Sequence, residues 1–188
     1  MIVKSLMILC LAGFASLAAL ADPTAYQLAK LADQYVGVQS KDKVVQIRSE
    51  KSLASLTPDI WYIVFYDPDA TFKAIEVKFG AGEKLDVSRP GRLLELFGED
   101  KTPLEARKLI IDSDQAIKIA VGQPLLKNLT IKATQLWLEH GDQGPQWRVK
   151  LWAAQLQDRN KDADIGLVIL SADDGSIVKL DLHPNSVD

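Results

Sequence analysis

Helical and strand-like periodicities follow one another twice along this chain. In the first block Leu28, Leu31, Ala32 and Tyr35 recur at the three-to-four spacing of a helix face. Thr24, with Gln27 three residues on, forms a capping-box pattern at its start, and Gly37 supplies a stop. The period then changes to two. Residues 43–49 alternate, with Val45 and Ile47 on one face and Val44, Gln46 and Arg48 on the other. Residues 61–66 form an aromatic and β-branched run of strand composition. Residues 72–79 alternate again, and after Gly80-Ala81-Gly82 a short strand is expected at 84–87. The second block repeats this order. Asp112 and Gln115 restate the cap, and Ala116, Ile117, Ala120 and Val121 give an apolar helix face. Strands follow at 129–138, 147–156, 165–171 and 176–182, with Asp173-Asp174-Gly175 as a hairpin turn. The spacings agree: Thr24 to Trp61 and Asp112 to Trp147 are of similar length.

A duplicated order of this kind predicts an α+β chain of two tandem units, each a helix packed on an antiparallel four-stranded sheet. The units are placed at residues 22–88 and 112–188. A helical linker at 89–111 joins them, with a short helix at 92–97 and a second from Thr102-Pro103-Leu104-Glu105 to about Ile110. A helix on one face of such a sheet leaves the other face wet. Two sheets set edge to edge would extend that open surface, which is where a partner is expected.

The N-terminus changes the picture of where the chain works. Lys4, an apolar run to Leu20 and the small-x-small Ala19-Leu20-Ala21 read as a secretory signal peptide over residues 1–21. Cleavage there leaves 167 of the 188 residues, removes the lone Cys10 and takes the formal net charge from −3 to −4. The expected location is secreted or periplasmic. Disulfides, thiol catalysis and thiolate metal sites are excluded from the remainder, and an acidic balance argues against a general nucleic-acid binder. No membrane span is expected after cleavage.

Catalytic patterns are not found. His140 and His183 have no neighbour at ligand spacing, no Gly-x-Ser-x-Gly elbow occurs, and Gly80 and Gly82 do not make a phosphate loop. Asp158, Asn160, Asp162 and Asp164 alternate as calcium ligands do, but Ala163 and Ile169 stand where an EF-hand needs glycine and glutamate. A solvated acidic loop is the preferred reading, and no cofactor or metal is expected. Aromatic residues remain. Trp61 and Trp147 hold equivalent places and read as core. Trp152, five residues after Trp147, falls on the opposite face, as do Tyr62 and Tyr66 relative to Trp61 and Phe65. Tyr62, Tyr66 and Trp152 are therefore the candidate partner-binding residues.

Residues 113–120 (SDQAIKIA), 147–151 (WRVKL) and 166–178 (GLVILSADDGSIV) resemble the PepSY-type domain of peptidase propeptides and bacterial envelope proteins. The first block keeps the helix, the Trp strand and Phe79-Gly80-Ala81-Gly82 but lacks the Asp-Gly ending. As a tandem pair the chain is similar to the two-repeat arrangement of β-lactamase inhibitor proteins. The resemblance implies a non-enzymatic role outside the cytoplasm: holding, inhibiting or presenting. The expected function is thus a binding protein for a protein or peptide of the cell envelope, with peptidase inhibition as one specific form. A periplasmic carrier of a small apolar ligand is the alternative.

Overall fold

A computed structural model describes residues 22–89 and 102–188. The signal-peptide reading and the helix expected at 92–97 lie outside them. The described elements are α1 (Ala25–Ala32), β1 (Val44–Ser49), β2 (Ile60–Tyr66), β3 (Ala74–Gly80), β4 (Glu83–Ser88), α2 (Ser113–Val121), β5 (Ile131–Gly141), β6 (Gly144–Ala154), β7 (Asp162–Ser171) and β8 (Ile177–Leu182).

Both helices begin as their caps dictate. The Thr24 hydroxyl accepts from the Gln27 N–H and the Asp112 carboxylate from the Ser113 N–H, while Gln27 and Gln115 reach back to the cap backbone. Each helix is short, eight and nine residues, so its stability comes from packing rather than from propensity.

The two-unit architecture expected from the periodicity is overturned. Among the described residues all eight strands form one antiparallel sheet in the order β4-β3-β2-β1-β5-β6-β7-β8, with only two short α-helices. The joint is β1 against β5, where Ile47 pairs with Leu138 and Arg48 with Trp137. Where that ladder ends, buried hydroxyls continue it. Ser49 Oγ accepts from the Leu136 N–H and Ser52 Oγ from the Thr134 N–H, both at 2.9 Å. The helices are joined as well: the Ala25 N–H donates to Ser113 Oγ (3.0 Å), the Tyr26 N–H to the Asp112 carboxylate (3.1 Å) and the Tyr26 hydroxyl to Ile111 O (2.7 Å). One hydrophobic core follows from this. Leu28, Ile47, Ile63 and Phe65 of the first half share it with Ile117, Leu136, Trp147 and Val168 of the second. Trp147 lies at its centre, stacked on Tyr26 and donating its indole N–H to Ile111 O at 2.7 Å. Burial pushes the Tyr26 hydroxyl far above its usual range, with the Trp147 contact opposing that shift.

Two local expectations are corrected. The helix from Thr102 to Ile110 is a single 3-10 turn at Ala106–Lys108. Its backbone is claimed by the sheet: the Leu104 N–H donates to Val44 O, and the Ile110 and Ile111 N–H groups both donate to Ala172 O. On β1 an irregularity between Val44 and Gln46 shifts the faces, so Val44 joins Ile47 against the core and Val45 moves to the other side.

Candidate binding groove on the open sheet face

The face opposite the helices is built by the polar half of each strand. In register across the seam it carries Lys78 (β3), Tyr62 (β2), Arg48 (β1), Trp137 (β5) and Arg148 (β6), each directly opposite the next. Cation and aromatic ring alternate along this row. The Arg48 guanidinium lies 4.0 Å and the Lys78 ammonium 5.0 Å from the Tyr62 ring centre, close enough for cation–π attraction. One strand row below, Lys150, Leu167 and Asp181 are in register on β6, β7 and β8.

Between these rows runs a groove of about 680 Å³. Trp137 and Leu167 lie along it, with Arg48, Arg148 and Lys150 toward one side and Asp181, beside His183, toward the other. Its exposed charges are held in pairs: Arg148 with Glu139 (2.9 Å), Lys150 with Asp164 (2.7 Å) and Asp181 with Lys179 (3.1 Å). Pairs this exposed contribute little, typically ~0–1 kcal/mol, and exchange readily for a ligand's charges. Arg48 differs. Its pair with Glu76 is largely buried, so it is fixed in place. The Gln46 side-chain oxygen and the Arg48 Nε are buried and have no hydrogen-bond partner among the described residues. An unmatched buried acceptor costs about 1–3 kcal/mol. Gln46→Met should therefore leave stability unchanged or raise it by about 1 kcal/mol, read from the urea midpoint. A loss of that size would show that the amide is satisfied.

Two carboxyls of the groove, Asp164 and Asp181, are held ionised. Partial burial opposes the charge of Asp164, but Lys150 and the Gly166 N–H outweigh it and lower its pKa. Lys179, aided by His183, lowers that of Asp181. A depressed folded-state pKa gives stability that is complete above the ordinary carboxylate range, near pH 4, and lost as pH falls through the lower folded value. The urea midpoint should accordingly hold between pH 7 and about 5 and drop below about 4. A decline already complete by pH 5 would contradict this assignment.

The three aromatic residues expected at a partner surface all lie on this open face, each half-buried. They do not form one patch. Tyr62 and Trp152 sit on strands three places apart, about 14 Å at ordinary spacing. Tyr66 packs at the far end of β2 with Val45, Val64 and Ala74. Lys51 and Lys150 flank the Trp152 ring at 4.6 and 5.2 Å, and Glu50 accepts from the Tyr62 hydroxyl. None of the three lines the groove. The aromatic that does is Trp137, and its signal was present in the sequence: it alternates with Leu136 and Leu138, both fully buried. His183, exposed just after β8, also lines the groove.

The acidic run does not converge. Asp162 pairs with Lys51 and Asp164 with Lys150, while Asp158 accepts from the Asn160 N–H within its own turn. Among the described residues no group of three or more His, Cys, Asp or Glu is placed to hold a metal ion, and no helix is long and apolar enough to cross a membrane. Compared with known proteins, the chain matches no protein-family model, no curated protein and no solved structure.

Proposed function

We propose that this chain is a non-enzymatic binding protein of the secreted or periplasmic space, and that it holds a protein or peptide segment against its open sheet face. The groove over Trp137 carries this reading. It combines a half-buried aromatic ring, a neighbouring apolar side chain and exchangeable charges, which is the composition of a recognition surface. The N-terminal secretory pattern and the PepSY-like stretches support the location and the non-enzymatic role. Inhibition of an envelope peptidase is one form such binding would take.

The apolar-carrier alternative needs an apolar cavity between helices and sheet. The groove over Trp137, and a second of about 640 Å³ beside the β5–β6 and β7–β8 turns, are lined largely by charged and polar residues. A third, open depression of about 450 Å³ lies on α2 beside Ile111 and Ile119.

Residues 22–188, immobilised, should retain a saturable protein or peptide from the producing cell's envelope. Trp137→Ala and Trp152→Ala should each weaken retention about tenfold, as loss of an interface aromatic does, and Asp158→Ala in the exposed turn should not. Equal retention by all three variants, or none by the unaltered chain, would defeat the proposal.

A further inference from the structure

Among the described residues the sheet ends on β8, and no strand lies outside it. Ile177, Val178 and Leu180 are all exposed on this strand, an apolar content that uncovered edges ordinarily avoid. Its backbone is open as well. The His183 N–H donates to Ile165 O at 2.8 Å, and the register runs unbroken from Leu182 opposite Gly166 back to Lys179 opposite Ile169. Backbone direction alternates along an antiparallel ladder. Lys179, Asp181 and His183 therefore direct their N–H and C=O groups at β7, while Leu180 and Leu182 turn theirs outward. An outward row of this kind is a template for one more strand.

The charges on β8 say which strand. Lys179 and Asp181 flank Leu180 on the open face and pair with each other at 3.1 Å. A second copy of β8, laid antiparallel about a twofold axis, can centre on residue 179, 180 or 181. Centred on 179 it sets Lys179 against Lys179, and centred on 181 it sets Asp181 against Asp181. Centred on Leu180 it sets Lys179 of each copy against Asp181 of the other. Opposite charges facing across a strand pair stabilise it and like charges repel, so charge selects the third register. The backbone accommodates that choice. Leu180 becomes the hydrogen-bonded pair on the axis, each N–H meeting the other copy's C=O. Lys179 and Asp181 fall in the non-hydrogen-bonded positions, where facing residues approach to about 4.5 Å between Cα atoms.

We propose that β8 is a self-recognition edge, and that two copies of this chain join through it, antiparallel about Leu180, into one continuous sheet. The axis stands perpendicular to the sheet. Both open faces therefore lie on one side, and the two grooves meet at Asp181 and His183. On the helix side, where Leu180 lies opposite Val168, the two Leu180 side chains pack on each other. The Lys179–Asp181 contact within each copy is exposed, so little is lost when it is exchanged for the contact between copies. A single strand edge is a small interface, and the dimer forms in proportion to concentration. The pairing does not depend on what the groove holds.

Sedimentation equilibrium of the purified protein over about a hundredfold range of concentration should show the mass rising from one copy toward two and no further. Lys179→Asp sets carboxylates against carboxylates across the axis, and Asp181→Lys sets ammonium groups against ammonium groups. Each variant alone should self-associate at least about tenfold more weakly. Mixed in equal amounts the two complement each other, and the dimer should return to the parent's level. The double variant Lys179→Asp/Asp181→Lys reverses every pair and keeps every attraction, so it should dimerise as the parent does. Both side chains are exposed, so these changes leave the core untouched. A single copy at every concentration, or growth past two copies, would overturn the proposal. So would self-association of either single variant at the parent's strength, or failure of both the mixture and the double variant to dimerise.

Discussion

Replacing Gly166 by alanine should destabilise the protein by about 3 kcal/mol or more and loosen β8 from the sheet. Gly166 adopts φ +102°, a conformation L side chains rarely take. A Cβ there would also stand 2.0 Å from the Asp181 carbonyl oxygen, a backbone atom of the next strand that cannot swing aside. Strain and overlap act together, because Gly166 pairs with Leu182 where β8 closes against β7. Relief requires the two strands to part. Urea unfolding would read the loss, and hydrogen exchange at residues 177–182 would show where it falls. Because Gly166, Asp181 and His183 all line the groove, the same variant should lose ligand there. Stability and β8 protection equal to the parent's would contradict the geometry.

Trp147→Ala should cost about 3–5 kcal/mol, the range for removing a large buried aromatic. Trp147 is fully buried, stacks on Tyr26 of the first helix and donates to Ile111 O. Its removal leaves a cavity where both helices meet the sheet. In a chain of two independent units the damage would stay in residues 112–188. In a chain with one sheet and one core, β2 and β7 should lose exchange protection together and unfold in one transition. A variant that unfolds in two steps, with β2 protected through the first, would show that the β1–β5 joint is weaker than its pairing indicates.

What the sequence disclosed is largely local. Both capping boxes form, because a cap needs only residues three apart. The Asp173-Asp174-Gly175 turn forms, with Gly175 at φ +76°. Strand faces follow from alternation except where an irregularity shifts them, as at Val45. The joining of the halves was not legible. Residues 43–49 alternate in the same way whether β1 is an edge or is paired on both sides, and the β1–β5 pairing links positions about ninety residues apart in sequence. Ser49 and Ser52 carry much of that joint, yet serine reads as a loop or surface residue until its partner strand is known. The helix expected after Thr102 failed for a related reason. Start signals compete with tertiary hydrogen bonds, and here Val44 and Ala172 accept the N–H groups a helix would have used.

The groove was missed by the same kind of step. Tyr62, Tyr66 and Trp152 were found by their position opposite core aromatics, and they do lie on the open face. Trp137 does not stand out in the sequence, because its place in the groove depends on Arg48, which the seam sets directly opposite it.

The measurement that bears most directly on the open face as the binding surface is site-specific photo-crosslinking in the producing cell. A photoreactive amino acid would replace Trp137 in the groove, Trp152 farther along the same face, or Lys118 on the exposed side of α2. The account predicts adducts with one species from positions 137 and 152 and none from 118. Adducts from position 118 alone, or from none of the three, would contradict it.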